Sequence, residues 1–218
     1  MKPYVNFLYL ASILYSAIVA WVYRSSLKKH GLLVLIVYLP IVFIQELGIY
    51  IYTHEVKNAN TSIIYNFYRI INVLVFSFIF YQIPFSRALK KIILTLLLLF
   101  ILLNIITFGF LQSIYSQNNY PSTVAGLILT SYGIFFLFFY FSLDSVMEEK
   151  HWRPFIPMVI GLVTFYPLVN ISNAFHKYLL TYEATLFGMR VYNFIPQVMS
   201  IFMYCCFART FYLCKKKK

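Results

Sequence analysis

Long apolar runs alternate with short polar connectors along the whole chain, at 4–23, 31–53, 62–82, 91–111, 123–143, 155–175 and 188–211. Each run is close to the roughly 20 residues that a helix, rising about 1.5 Å per residue, needs to cross a bilayer. In hydrocarbon every backbone N–H and C=O must be bonded within its own segment, so runs of this length predict helices and not open strands. The connectors, among them 24–30, 55–61, 84–91 and 117–122, are polar and turn-like and too short to hold a folded soluble domain. The expected fold class is all-α, a seven-transmembrane helix bundle formed by residues 1–218 as one integral membrane domain. Pro40, Pro167 and Pro196 fall inside the second, sixth and seventh runs, where each removes one helical hydrogen bond and predicts a kink.

Composition agrees with the pattern. The chain is 61% hydrophobic and 11% charged, against roughly 45–50% and 25% in soluble domains. The formal charge of +12 could suggest a nucleic-acid partner, but such a protein gathers its bases on one water-exposed face. Here they lie between apolar runs, the pattern of membrane topology. Alternate connectors collect Arg24, Lys28, Lys29, Arg87, Lys90, Lys91, Lys150, Arg153, Arg209 and Lys215 to Lys218 on one side; the other side holds Lys2, Lys57, Lys177 and Arg190. The richer side is expected to be cytoplasmic, which places the N-terminus outside and the lysine tail inside, against anionic lipid. A secretory signal peptide ending near Ala17 to Ala20 is the alternative for the first run. That run is long for a signal core, and its basic cluster follows it instead of preceding it. The 20 tyrosines and 23 phenylalanines are expected in interfacial belts and between helices.

Ionisable residues inside hydrocarbon must be paired or line something wet. Two stand well inside runs: Glu46 on the second and Arg69 on the third, both about 10 Å from the outer surface by helical rise. Opposite in sign and matched in depth, they predict an ion pair, read either as a register lock or as the wall of a ligand site. Asn72, Asn104, Asn170, Asn173, Asn193 and Gln197 fall in the same outer half. Helical spacing aligns Tyr65, Arg69, Asn72 and Phe76 on one stripe, Tyr166, Asn170 and Asn173 on another, and Arg190, Asn193, Gln197, Ser200 and Tyr204 on a third. Polar stripes turn away from lipid, so they should converge inside the bundle, as interhelical hydrogen bonds or as an outward-facing pocket. The candidate ligand-binding set is Glu46, Arg69, Asn72, Asn104, Asn170, Asn173, Asn193 and Gln197. The inner half offers hydroxyls such as Ser77 and Thr95, which predicts no polar path through the membrane.

No catalytic residues, cofactor or metal site are expected. The sequence lacks H-E-x-x-H, G-x-S-x-G, a phosphate-binding glycine loop and C-x-x-C. His30, His54, His151 and His176 fall at span ends, two on each side; His54 and His176 with Glu55 or Glu183 make at most a weak surface metal site. Cys205, Cys206 and Cys214 read as helix packing residues. The segment from Asp144 to Arg153, with Glu148, Glu149, Lys150 and His151, is the most charged inner connector, either a solvated loop or a place for a protein partner to dock.

Seven spans with an external N-terminus resemble the plan of rhodopsins, but the seventh run has no lysine for a retinal Schiff base. Pro196-Gln197 is shared with PQ-loop transporters, in which the pair lies in the first and fifth spans. Tyr4-Val5-Asn6-Phe7-Leu8-Tyr9, Glu46-Leu47 with Tyr50, and Tyr65-Asn66 resemble small seven-span proteins of Bacteroidota, themselves similar to the membrane sensor modules of histidine kinases. That resemblance implies a sensor-like or accessory protein of a bacterial inner membrane, with a small or lipidic ligand, the lipid bilayer and a cytoplasmic or membrane protein as partners. A small-solute transporter and an intramembrane lipid enzyme are the other readings. In a eukaryotic host the terminal lysines would fit a dilysine retrieval signal.

Overall fold

The computed structural model describes residues 2–56, 59–116, 119–143, 146–183 and 185–215. Lys57, Gln117, Asp144 and Lys216 to Lys218, invoked above for topology and docking, lie outside this set, as do the side chains of Glu148, His176 and Lys177. Ten α-helices are described: α1 (Lys2–Val22), α2 (Arg24–Lys29), α3 (Val34–Glu55), α4 (Ser62–Gln82), α5 (Arg87–Ile106), α6 (Asn119–Phe141), α7 (Val146–Trp152), α8 (Phe155–Ala174), α9 (His176–Thr181) and α10 (Val191–Leu213). Seven of them, α1, α3, α4, α5, α6, α8 and α10, are long and apolar enough to cross a bilayer. The chain is a multi-pass membrane protein built as an all-α bundle.

The connectors carry more structure than their polarity predicts. The basic connector after α1 coils into α2, and α7 and α9 likewise form short helices in what read as loops. α5 begins at Arg87, earlier than the hydropathy predicts, because the Ser86 hydroxyl accepts the Leu89 N–H at 3.3 Å and caps it. α5 ends in a π-turn over Thr107–Leu111, closed by Gln112 N donating to Thr107 O at 2.8 Å. Before α10, two-residue strands β1 (Thr185–Leu186) and β2 (Met189–Arg190) pair antiparallel. Their turn needs positive φ at Phe187 and Gly188, 54° and 76°, the two-residue geometry that suits a twisted hairpin. α3, α8 and α10 each continue through their proline.

α10 packs on α8 and α1, α8 on α6, α1 on α3, and α6 on α4 and α5. Six spans thus form a ring, α3–α1–α10–α8–α6–α4, with α5 outside it against α4 and α6. Lipid is as apolar as leucine, so such helices are held by close fit and interhelical hydrogen bonds. Small residues make the fit: Ser16, Ala17 and Ala20 on α1 are buried, and they explain the small-residue run that resembled a signal cleavage site. A Cβ on Gly133 would meet Val163 of α8, and one on Gly161 would meet Cys206 Cβ of α10 at 3.0 Å. The Tyr23 and Tyr212 rings lie 6.2 Å apart, so α1 and α10 end side by side and run parallel.

That shared end is the lysine-rich one. Arg24 sits 5.3 Å over the Trp21 ring, Lys90 5.3 Å over Tyr81, and Lys215 5.8 Å over Tyr23. Aromatic rings carrying cations at span ends are the anchors of a membrane–water interface.

Candidate functional site

The polar stripes converge. A cavity of about 460 Å³ lies at the centre of the ring, towards the end opposite the lysine-rich connectors. α1 gives it Tyr9, α3 Glu46, α4 Tyr65, Asn66, Tyr68, Arg69 and Asn72, α8 Tyr166, Asn170 and Asn173, and α10 Asn193, Gln197, Ser200 and Tyr204. Seven of the eight candidate residues named from the sequence line it: Glu46, Arg69, Asn72, Asn170, Asn173, Asn193 and Gln197.

Asn104 does not. It is buried on α5, the span outside the ring, and its Nδ2 donates to Phe100 O of its own helix at 2.7 Å. Depth along the sequence placed it correctly, but depth cannot tell a ring helix from one packed on the ring's outside.

The direct Glu46–Arg69 ion pair is not formed. Among the described residues, the side-chain partners of the Glu46 carboxylate are the hydroxyls of Tyr9 and Tyr65, the latter donating to Oε2 at 3.4 Å. Arg69 Nη1 donates to Asn66 Oδ1 at 3.5 Å. Both charged groups face the same cavity. Arg69 is positioned by a clamp that the sequence reading missed. Asn66 is buried, and its Nδ2 spends both protons on loop carbonyls, Ile114 O at 3.0 Å and Ser116 O at 3.1 Å, so its Oδ1 is turned to the guanidinium. Asn60 secures the same loop through Tyr115 O at 2.8 Å.

Below Glu46 runs a second unforeseen feature, a chain of tyrosine hydroxyls. Tyr38 Oη lies 3.0 Å from Tyr68 Oη and 3.0 Å from Asn72 Oδ1, and Asn72 Nδ2 donates to Tyr166 Oη at 2.6 Å. Tyr38 is the donor in both of its contacts, its one proton shared between Tyr68 Oη and Asn72 Oδ1, and Tyr166 lines the cavity. Three spans, α3, α4 and α8, are tied by this one relay.

Glycine makes room on the α6 side. A Cβ on Gly126 would collide with the Asn170 side chain, whose Nδ2 instead reaches Thr123 O at 3.1 Å and binds α8 to α6. Towards the basic end the interior closes. Phe76 and Phe207 stand 5.9 Å apart, Phe80 and Tyr132 5.6 Å, and Phe136 and Phe155 5.8 Å, all fully or almost fully buried. The Tyr132 hydroxyl, 3.1 Å from both Ser77 Oγ and Ile93 O, is satisfied within this plug.

Among the described residues, Glu46 and Arg69 are the carboxylate and guanidinium of the lining, with no histidine, cysteine or second carboxylate beside them. Among the described residues no three His, Cys, Asp or Glu side chains gather as metal ligands, and the three cysteines are free thiols. The chemistry available is recognition: a carboxylate and a guanidinium at fixed separation, amides and hydroxyls between them, and aromatic faces beneath. Comparisons of the chain with protein-family models, with curated proteins and with solved structures return no match.

Proposed function

We propose that this membrane protein is a non-enzymatic, sensor-like or accessory component of a bacterial inner membrane that binds a small or lipidic ligand in the cavity around Glu46. The N-terminus and the cavity mouth face outward, and the basic end, with the lysine tail, faces the cytoplasm, following the bias of lysine and arginine between connectors.

One observation carries the reading: polar groups from five spans, two of them charged, surround a cavity of about 460 Å³. Burying charge in a membrane is costly unless something is gained by it. Were these groups only interhelical fastenings, they would meet one another and leave little space. Instead the space stays open although the tyrosine relay, Asn66 and Asn170 make fastenings, and Gln197 Oε1 is without a hydrogen-bond partner among the described residues. Volumes of this order suit small molecules or one lipid moiety.

The transporter reading is second. It needs a route to the far side, where the aromatic plug now stands. A signal, by contrast, needs only that occupancy bias the packing of α10 against α8 and α1, and those helices carry it to the basic end.

The test is native mass spectrometry of the protein purified in mild detergent, set beside Ser200→Trp, which fills the cavity from α10. The wild type is expected to carry a bound small molecule or lipid that the variant lacks. Equal adducts on both, or uptake of solute into proteoliposomes that scales with protein, would displace this reading.

A further inference from the structure

A second pocket of about 250 Å³ lies at the basic end, lined by Lys28 and Lys29 in the last turn of α2, by His30 and Gly31 after it, by Ile79, Gln82 and Ile83 at the end of α4, and by His151 and Trp152 of α7. Among the described residues, every ionisable side chain in that lining is a base. The nearest described acid of α7, Glu149, is taken up by the Tyr140 hydroxyl at 3.0 Å and does not line it.

The bases are held in place. The His30 and His151 rings stack at 4.7 Å with an interplanar angle of 27°. Phe155 supports His30 at 6.3 Å, and Trp152 supports His151 edge-on at 4.8 Å. Gly31, at φ 72°, turns the chain beneath α4 in a conformation that favours glycine, and a Cβ there would strike the Gln82 side chain. His30 Nδ1 is buried and has no hydrogen-bond partner among the described residues.

We propose that this pocket binds a phosphate group, carried by the ammonium groups of Lys28 and Lys29 and by the imidazoles of His30 and His151. A phosphate brings negative charge and several strong acceptor oxygens to a lining that, among the described residues, has cations and N–H donors and no anion. Basic pockets at the membrane surface take lipid headgroups by the same chemistry, so the phosphate comes either from an anionic phospholipid or from a soluble compound. The site is independent of the Glu46 cavity and of which way the protein faces.

Stacked imidazoles resist joint protonation, and the imidazole of His30 is pushed below its ordinary range by burial and then by His151. The other charged groups facing it are Lys28 and Lys29; Gln82, Trp152 and Phe155 do not titrate in this range. A bound anion opposes that depression, which gives a readout at the site itself.

The experiment uses the full chain with 15N-labelled histidine in phosphatidylcholine nanodiscs, with inorganic phosphate added in one arm and cardiolipin incorporated in the other. The titration midpoint of the His30 ring is expected to rise by about one pH unit in at least one arm, while His54, at the opposite end, stays fixed. Exposed His151, Lys28 and Lys29 can be replaced without disturbing the core. His151→Gln, and Lys28→Gln with Lys29→Gln, are expected to weaken the response about tenfold. Lys90→Gln with Lys91→Gln, at the same end outside the pocket, should leave it within about twofold. A rise with phosphate assigns a soluble ligand, and a rise with cardiolipin alone assigns a headgroup. No rise in either arm, or equal loss in the Lys90 and Lys91 control, overturns the proposal.

Discussion

At the residue scale the cavity is shaped by what single atoms can donate or accept. Tyr38 is the position where this is sharpest, because its hydroxyl donates to the buried amide oxygen of Asn72 at 3.0 Å. Interhelical hydrogen bonds in membranes average about 0.6 kcal/mol and reach about 1.7. Tyr38→Phe also strands Asn72 Oδ1 in a buried site, so we expect a loss of about 1–2 kcal/mol, with a lower melting temperature in detergent. Tyr81→Phe, on an exposed tyrosine, is the comparison and should melt as the wild type does. A second residue-scale consequence is set by His30. Its protonation is disfavoured in the folded protein by burial and by His151, so the unfolded chain takes up the proton first. The contribution of a neutral His30 is therefore intact above the ordinary imidazole pKa of about 6.5 and is lost as pH falls below it towards the depressed folded value. Melting temperatures measured from pH 8 downwards should decline across that window for the wild type and decline less for His30→Gln.

At the element scale, what could be read from the sequence was what periodicity encodes. Seven spans were legible because bilayer thickness sets helix length, and their ends were found to within a few residues. Span ends set by a capping hydroxyl, as at Ser86, or by a turn needing positive φ, as at Phe187 and Gly188, carry no hydropathy signal and were misplaced. Seven of the eight candidate residues line the cavity because a polar side chain at mid-depth has few places to go other than the interior. The exception, Asn104, shows the limit. Polarity and depth were right, but α5 packs outside the ring, and the order of helices around a bundle is not written in any one of them. Tyr9, Tyr38 and Tyr68 were missed for the opposite reason, since in a chain with 20 tyrosines the few that bridge helices look like the many at interfaces. Asn104 Oδ1 is buried with no hydrogen-bond partner among the described residues. Replacing it with leucine removes that burden, so Asn104→Leu is expected to be neutral or stabilising by up to about 1 kcal/mol, and to leave any adduct seen by native mass spectrometry in place.

At the scale of the whole molecule, the protein is divided along its axis. One half holds polar side chains around a cavity; the other is filled by phenylalanines and ringed by cations seated on aromatic faces. The ion pair expected between Glu46 and Arg69 would have joined α3 to α4 and sealed that space. Instead Tyr65 meets the acid and Asn66 meets the base, and both charges line the cavity. Ligand binding there requires that water reach the cavity, and from the face opposite the lysine tail. With Cys205, Cys206 and Cys214 changed to serine, a single cysteine at Gln197 can be challenged with a membrane-impermeant maleimide added to either face of sealed, oriented vesicles, with a lipid-facing cysteine at Ile134 as the control. Labelling of the position-197 thiol only from the face opposite the lysine tail, with the control unlabelled, is the predicted result. No labelling from either face, or labelling from the lysine-tail face, would contradict it.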